Sequence, residues 1–466
     1  MRFERRMSDA DALMWRNEKD PMLRSTIVAV AVLDQAPDRA LLLDRLDRTS
    51  RLVPRLRQRV VHSPMSMAPP RWEADPNFDL SSHLRWFGAP AGDGQAATLD
   101  DVLRSAEPVA MQGFDRARPL WEMLVIEGLA DGGAAIVLKL HHSISDGVGF
   151  VQIAMNLFDV GRTPSTALGP MPDAPQAEAL GIAGRMVDAF DHESRRWLGI
   201  ARRLPATLGQ AGRAVIDDPT GARQQVLATA ASAARMLATA SRPASPIMQG
   251  RSLRMRFAAV SVPLDEMKAA ARRADGRLND AFVAGVLGGL RRYHDSHDCE
   301  VAALRMTMPI NIRSADNADL AGNAFAPARF VVPLDIDDVI ERMRVVRALV
   351  QQQRAEPAMV LLDPMALVVQ RLPTSVSTAF FQSMLKGQDF VTSNVPGVPL
   401  PLFVAGAAIE AQYAFGPLSG AGANLTLLSY QDQVHIGINS DPAAIPDADL
   451  FTSCLRDSLD EIRKLA

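Results

Sequence analysis

The sequence predicts an α+β protein of two lobes joined by a helical connector. Three observations lead there. Helix-like and strand-like patterns alternate through residues 1–165, Pro-, Ala- and Arg-rich sequence without a convincing strand fills 166–250, and the alternation resumes over 251–466. The chain of 466 residues is 48% hydrophobic and 22% charged, which supports a sizeable buried core and sets it among water-soluble globular proteins.

In the first lobe Ser8 precedes "DADALMWRNE", a capped helix; "STIVAVAVL" is a strand; "DRALLLDRLDRTSRL" spaces its apolar residues as a helix does. "LWEMLVIE" and "AAIVLKLHH" flank "GLADGG", a Gly/Asp turn that joins antiparallel strands. The connector reads as helices and linker. In the second lobe "LRMRFAAVSV" and "LRMTMPINI" are strands, "LDEMKAAARRA" and "LNDAFVAGVLGGLRRY" are helices, and further helices occupy about 337–386. "DFVTSNVPG", "LFVAGAAIEAQYAF", "NLTLLSY" and "QVHIGINS" form a final set of strands, closed by a helix after Asp447.

Composition also excludes classes. A net charge of -3 with no long Lys/Arg block argues against a nucleic-acid partner. Two cysteines, Cys299 and Cys454, suit free thiols in a reducing cytoplasm. The opening residues lack the apolar core of a secretory signal, and no run reaches the roughly 18 apolar residues of a membrane span. Lipid would then be met from the water side, by peripheral contact with a membrane or lipid droplet. Arg2, Arg5 and Arg6 are either a contact with an anionic surface or a solvated N-terminus. "YHDSHDCE" gathers His294, His297 and Cys299 without zinc spacing, so no metal is expected; His435 reads as a packed strand residue.

The chemistry concentrates in "IVLKLHHSISDGVGF", 136–150. Strand alternation places Ile136, Leu138, Leu140 and His142 on one face, the apolar or cavity face, and Val137, Lys139 and His141 on the other. Only one histidine can face a given cavity. Asp146 stands where the strand hands over to a helix through Val148, Val151, Ala154 and Phe158, as a cap, a turn residue or a carboxylate that orients the ring; Gly147 permits a close backbone approach. A neutral imidazole at a cavity edge can take a proton from a hydroxyl, although a hydrogen-bonded core histidine accounts for the pattern too.

"HHSISDG" resembles the HHxxxDG motif of acyl-CoA-dependent acyltransferases, which condensation domains of peptide synthetases share. "RPLWEMLVIEGL" at 118–129, "NDAFVAGVLGGLRRY" at 279–293, "MPINIRS" and "GNAFAPARFVVPL" within 308–334, "SNVPGVPLPLFVAGA" at 393–407 and "NLTLLSYQDQVHIGINSD" at 424–441 are similar, in order, to segments of the bacterial wax ester synthase/diacylglycerol acyltransferase family. The chain departs at Leu23, where the family often has His, at Asp432 in place of a turn glycine, and in "SPIMQGRSLRMRF".

The resemblance implies two chloramphenicol-acetyltransferase-like lobes with a channel between them, the first over 1–165 and the second over 251–466. It implies O-acyl transfer from acyl-CoA, as co-substrate with no cofactor, to diacylglycerol or a long-chain alcohol. His142 is then the general base, with His141, Asp146 and Gly147 holding the loop. Asn279 is an oxyanion donor or the cap of its helix. Pro119 and Trp121 shape the channel wall, Ser393 and Asn394 line it, and Asp280 supports Asn279. Absence of a G-x-S-x-G elbow suits direct attack. Acylation of another hydroxylated lipid, or a non-catalytic lipid-binding role, are the other readings.

Overall fold

Two six-stranded sheets carry the chain, with helices flanking them. The computed structural model describes residues 3–64, 68–90, 96–144, 155–163, 169–176, 180–237, 242–311, 325–355, 374–385 and 387–466. Asp146 and Gly147, and most of the helix expected after them, lie outside the described residues.

Helix α1 (Asp9–Asn17) starts where Ser8 Oγ accepts the Asp11 amide at 3.0 Å. Strand β1 (Thr26–Leu33) follows, then α2 (Arg39–Leu52), the small β2 (Gln58–Val61) and β3 (Arg71–Ala74) pair, β4 (Leu84–Gly88), and α3 (Leu99–Met111) with a Thr98/Asp101 capping box. The expected hairpin is β5 (Trp121–Glu127) and β6 (Ala134–His141), antiparallel from Trp121↔Leu140 to Glu127↔Ala134.

The connector is α4 (Ile182–Asp217) and α5 (Pro219–Leu237). The second lobe contains β7 (Arg256–Pro263), α6 (Leu264–Arg273), α7 (Leu278–Asp295), β8 (Ala303–Asn311), β9 (Phe325–Pro333), α8 (Val339–Arg354), α9 (Thr374–Leu385), β10 (Phe390–Val395), β11 (Phe403–Val404), β12 (Ala407–Phe415), β13 (Ala423–Tyr430), β14 (Gln433–Ser440) and α10 (Ala448–Arg463). The second sheet runs β7-β14-β13-β10-β8-β9. Its faces bury apolar side chains with α7 and α10, including Phe282, Leu290, Leu425, Leu455 and Ile462.

One segment changes lobes. The first sheet runs β11-β12-β1-β6-β5-β4, so 403–415, expected within the second lobe, belongs to the first sheet. β12 lies antiparallel to β1, with Val28↔Phe415 and Val30↔Tyr413. Without it β1 would be an edge with unpaired amides and carbonyls. The crossing strand also stacks Phe415 on Phe257 of β7, ring centroids 4.3 Å apart, which ties the two sheets together.

The N-terminal arginines divide as well. Arg6 is 9% exposed, and its guanidinium bonds to Ser63, the Pro69 carbonyl and Asp188. It is a buried tie between the N-terminus and the connector rather than a solvated or surface-binding side chain.

Candidate active site

The end of β6 is pinned from two sides before any side chain acts. The His141 amide donates to the Leu120 carbonyl at 3.0 Å and the His142 amide to the Ser25 carbonyl at 2.8 Å. The segment Pro119, Leu120 and Trp121 therefore abuts the doublet on one side and the start of β1 abuts it on the other.

His141 is wholly buried and its ring is locked. Its Nδ1 accepts both the Ser143 hydroxyl at 2.6 Å and the Ser143 amide at 3.0 Å. An amide can only donate, so in the neutral ring Nδ1 is bare and the proton sits on Nε2. That nitrogen lies 3.0 Å from Glu18 Oε1 in a strongly bent contact. The Trp15 ring meets the imidazole edge-on at 5.4 Å and Phe114 at 6.0 Å. Burial opposes ionisation of Glu18, but the contact with His141, the Ser25 amide at 2.8 Å and the Arg116 charge outweigh it, and the carboxyl titrates below its ordinary value.

The alternation read from sequence divides the doublet, but the burial differs from expectation. Lys139 and His141 are fully buried, whereas Leu138 and His142 on the supposed core face are half-buried. The sheet is covered on both faces: Ile136 and Leu140 pack with Trp15 and Trp121, while Val137 packs with Val28 and residues of α3. Lys139 Nζ sits 3.3 Å from Glu122 Oε1 and 4.4 Å over Phe114; burial pushes its pKa down, against the pull of Glu122. His142 keeps access to solvent and His141 has none.

Trp121 is 2% exposed, donates Nε1–H to the Leu56 carbonyl at 2.8 Å and stacks on His83 at 4.6 Å. With Pro119, Glu122, Phe114 and Arg118 it lines an open cavity of about 330 Å³ at the start of β5.

On the second lobe, Asn279 and Asn394 meet. Asn394 Nδ2 reaches Asn279 Oδ1 at 3.5 Å, and among the described residues Asn279 Nδ2 has only the Met308 sulfur at 3.7 Å. Asn279 is not the cap of α7: Arg277 holds the N-cap position, and its amide is taken by Asp280 Oδ2 at 2.8 Å. Asp280 is thereby committed to the helix start, and burial raises its pKa. Ser393 lies half-buried beside Thr426 in β10–β13 pairing. Glu18, Ser143, Trp15 and Phe114 were not legible as site residues, since a lone acid closing a helix in "WRNEKD" carries no local motif. His294 is a packed residue, with Nδ1 on the Leu290 carbonyl at 2.7 Å and Nε2 2.8 Å from Ser245 Oγ.

A paired-histidine strand end set against two sheet-containing lobes, one of which lends a strand to the other, defines an acyltransferase of the HHxxxDG class. The model of the wax ester synthase/diacylglycerol acyltransferase catalytic domain matches residues 7–282, and that of the WS/DGAT C-terminal domain matches 321–463. A Mycobacterium tuberculosis protein that carries the diacylglycerol O-acyltransferase name is 35% identical over 466 residues, covering 100% of this chain and 93% of its own. A second protein of that name in the same species is 27% identical over 458 residues, covering 95% and 93%. Among solved structures, the wax ester synthase/diacylglycerol acyltransferase from Marinobacter aquaeolei VT8 superposes with a TM-score of 0.61 at 20% identity, over 98% of both chains. The first condensation domain of the calcium-dependent antibiotic synthetase gives 0.60 at 15%, over 98% and 95%. The chain belongs to the wax ester synthase/diacylglycerol acyltransferase family.

Proposed function

We propose that this acyltransferase moves a fatty acyl group from acyl-CoA to the hydroxyl of a diacylglycerol or long-chain alcohol, at a lipid surface, forming triacylglycerol or wax ester. The observation that carries the reading is the division of the doublet: His141 is buried and locked by Ser143 and Glu18, and His142 beside it is half-buried and accessible. His142 takes the acceptor proton as the alcohol oxygen attacks the thioester carbonyl. The new C–O bond forms, the C–S bond breaks, and the imidazolium returns the proton to the departing CoA thiolate. No acyl-enzyme forms. His141, Asp146 and Gly147 hold the loop that presents His142.

The Asn279 amide supplies the oxyanion donor, because a sulfur at 3.7 Å is a weak acceptor that the developing charge displaces. Asn394 orients that amide and lines the channel with Ser393, Asp280 fixes the helix that carries it, and Pro119 and Trp121 wall the approach to His142.

Purified protein given palmitoyl-CoA should release CoA faster when diacylglycerol or hexadecanol is added. His142→Ala should abolish that increment with folding intact, and His141→Ala should lower thermal stability as well. Lack of acceptor-dependent release across an alcohol panel overturns the activity; a trapped acyl-enzyme overturns direct attack.

A further inference from the structure

Helix α4 is mounted inside out. At 3.6 residues per turn, Ile182, Met186, Val187, Phe190, Trp197 and Leu198 fall within an arc of about 160°. All six are exposed, from 40% at Met186 to 74% at Ile182, with Phe190 at 66% and Trp197 at 56%. The opposite arc faces the first lobe and is polar. Arg185 lies 3.6 Å from Glu73, Asp188 pairs with Arg71 at 3.0 Å and with Arg6, and Arg196 bonds to Asp9. A helix of a water-soluble domain normally buries its apolar stripe and shows its charges. Here the charges fasten the helix and the stripe is left over, about 24 Å long from Ile182 to Leu198.

We propose that this face of α4 is the surface by which the enzyme docks on a phospholipid membrane carrying anionic headgroups. The placement rests on the lipid acceptor proposed above, and it names the part of the chain that meets the lipid. Aromatic side chains in the middle of an aliphatic stripe, with arginines on its flank, are what an interfacial helix needs. Phe190 and Trp197 are two turns apart, while Arg195, its side chain 79% exposed, and the exposed Arg202 stand where headgroup phosphates would lie. Arg195 shares its charge with Asp191 at 2.9 Å; Arg202 is the complementary cation toward the C-terminal end of the stripe. Among the described residues no helix is long and apolar enough to cross a membrane, so contact through α4 would be in the plane of the surface.

The test uses the full chain and vesicles of phosphatidylcholine with phosphatidylglycerol. Wild type should float with the vesicles, and F190S/W197S, both changes on exposed side chains, should bind at least about tenfold more weakly with an unchanged melting temperature. Of the five tryptophans, Trp15, Trp72 and Trp121 are buried and Trp86 is half-buried, so quenching by brominated lipid reports on Trp197 and should vanish in W197F. With a short water-soluble alcohol as acceptor the double variant should turn over like wild type, and with diacylglycerol in vesicles it should not. Equal vesicle binding by both proteins overturns the proposal. So does concentration-dependent self-association of wild type that the double variant abolishes, because the stripe then covers a second copy. Vesicle binding without turnover on any acceptor keeps the docking face and overturns only the reaction.

Discussion

Glu18 Oε1 lies 3.0 Å from His141 Nε2, so the first helix of the chain reaches the histidine motif through one carboxylate placed 123 positions earlier in the sequence. The same oxygen accepts the Ser25 amide, and the Ser25 carbonyl accepts the His142 amide. One step up the helix, Asn17 Oδ1 accepts the Thr378 hydroxyl of α9 at 3.3 Å. The end of α1 thus joins a helix of the second lobe to both histidines. Under the proposed reaction Glu18 is a positioning residue: it touches the locked ring of His141, not that of His142.

Removing that carboxylate should cost turnover more than binding. E18A should lower kcat by about 10- to 100-fold with KM little changed, the range for outer partners that stand one step behind a functional group. E18Q retains an acceptor oxygen and should be milder. A loss confined to KM would instead place Glu18 in substrate binding.

Glu18 also sets an acid limit. Its folded pKa lies below the unfolded value of about 4.3, so its contribution is present above that pH and is lost as pH falls through the folded value. Denaturant midpoints measured from neutral pH downward should fall less steeply in E18Q than in wild type.

His435 should give a second, higher pH window. It is 3% exposed, its Nδ1 sits 2.8 Å from Ser261 Oγ, its Nε2 has no hydrogen-bond partner among the described residues, and burial lowers its pKa from 6.5 to about 4. Between those values the unfolded chain binds the extra proton, so stability is full above about 6.5 and declines as pH falls toward 4. At 1.36 kcal/mol per pH unit the ceiling is about 3 kcal/mol. H435Q keeps a polar partner for Ser261 but does not titrate. Its unfolding free energy should change less than that of wild type between pH 7 and pH 5; parallel curves would refute the assignment.

These groups show what a sequence can and cannot convey. The strand that ends in the doublet, its hairpin partner and the capped first helix follow from short-range periodicity and turn chemistry, and they stand where "AAIVLKLHH", "LWEMLVIE" and Ser8 put them. Pairing across long separations carries no such signal. Nothing in "AIEAQYAF" distinguishes a strand of the second sheet from one that crosses to β1, because both require the same apolar pattern. Burial of His141 failed to show for a related reason: a charged neighbour, Lys139, marks an exposed face only until Phe114 and Glu122 arrive from elsewhere to cover it. Helix α3 was obscured by Pro108 within it.

The glycines of "AFVAGVLGGL" make a packing prediction opposite in sign to helix propensity. Gly to Ala within a helix ordinarily stabilises by up to about 1 kcal/mol. At Gly289, however, a Cβ would lie 2.6 Å from Leu455 Cδ2 and 2.8 Å from Leu455 Cα, where α7 and α10 touch. G289A should therefore destabilise by about 1–3 kcal/mol, the usual range for overpacking. Thermal melts of G289A against wild type decide it.

Gly437 tests the strand crossing itself. It lies in β14 of the second sheet, opposite Thr426 of β13 and Ala259 of β7, yet a Cβ there would come within 2.1 Å of the Ala414 carbonyl oxygen and 3.2 Å of Phe415 Cδ1, both on β12 of the first sheet. The obstacle is backbone, which no rotamer change relieves. G437A must push β12 away from β14, and that displacement loosens the Phe415 stack on Phe257 and the β12 pairing that shields β1. Stability should fall by about 1–3 kcal/mol or more. Because the damage lies between the sheets rather than within either, amide exchange should quicken first in β12 and along β1, while β13, in the middle of the second sheet, stays protected. Equal quickening in β13 would show instead that the glycine serves the second sheet alone.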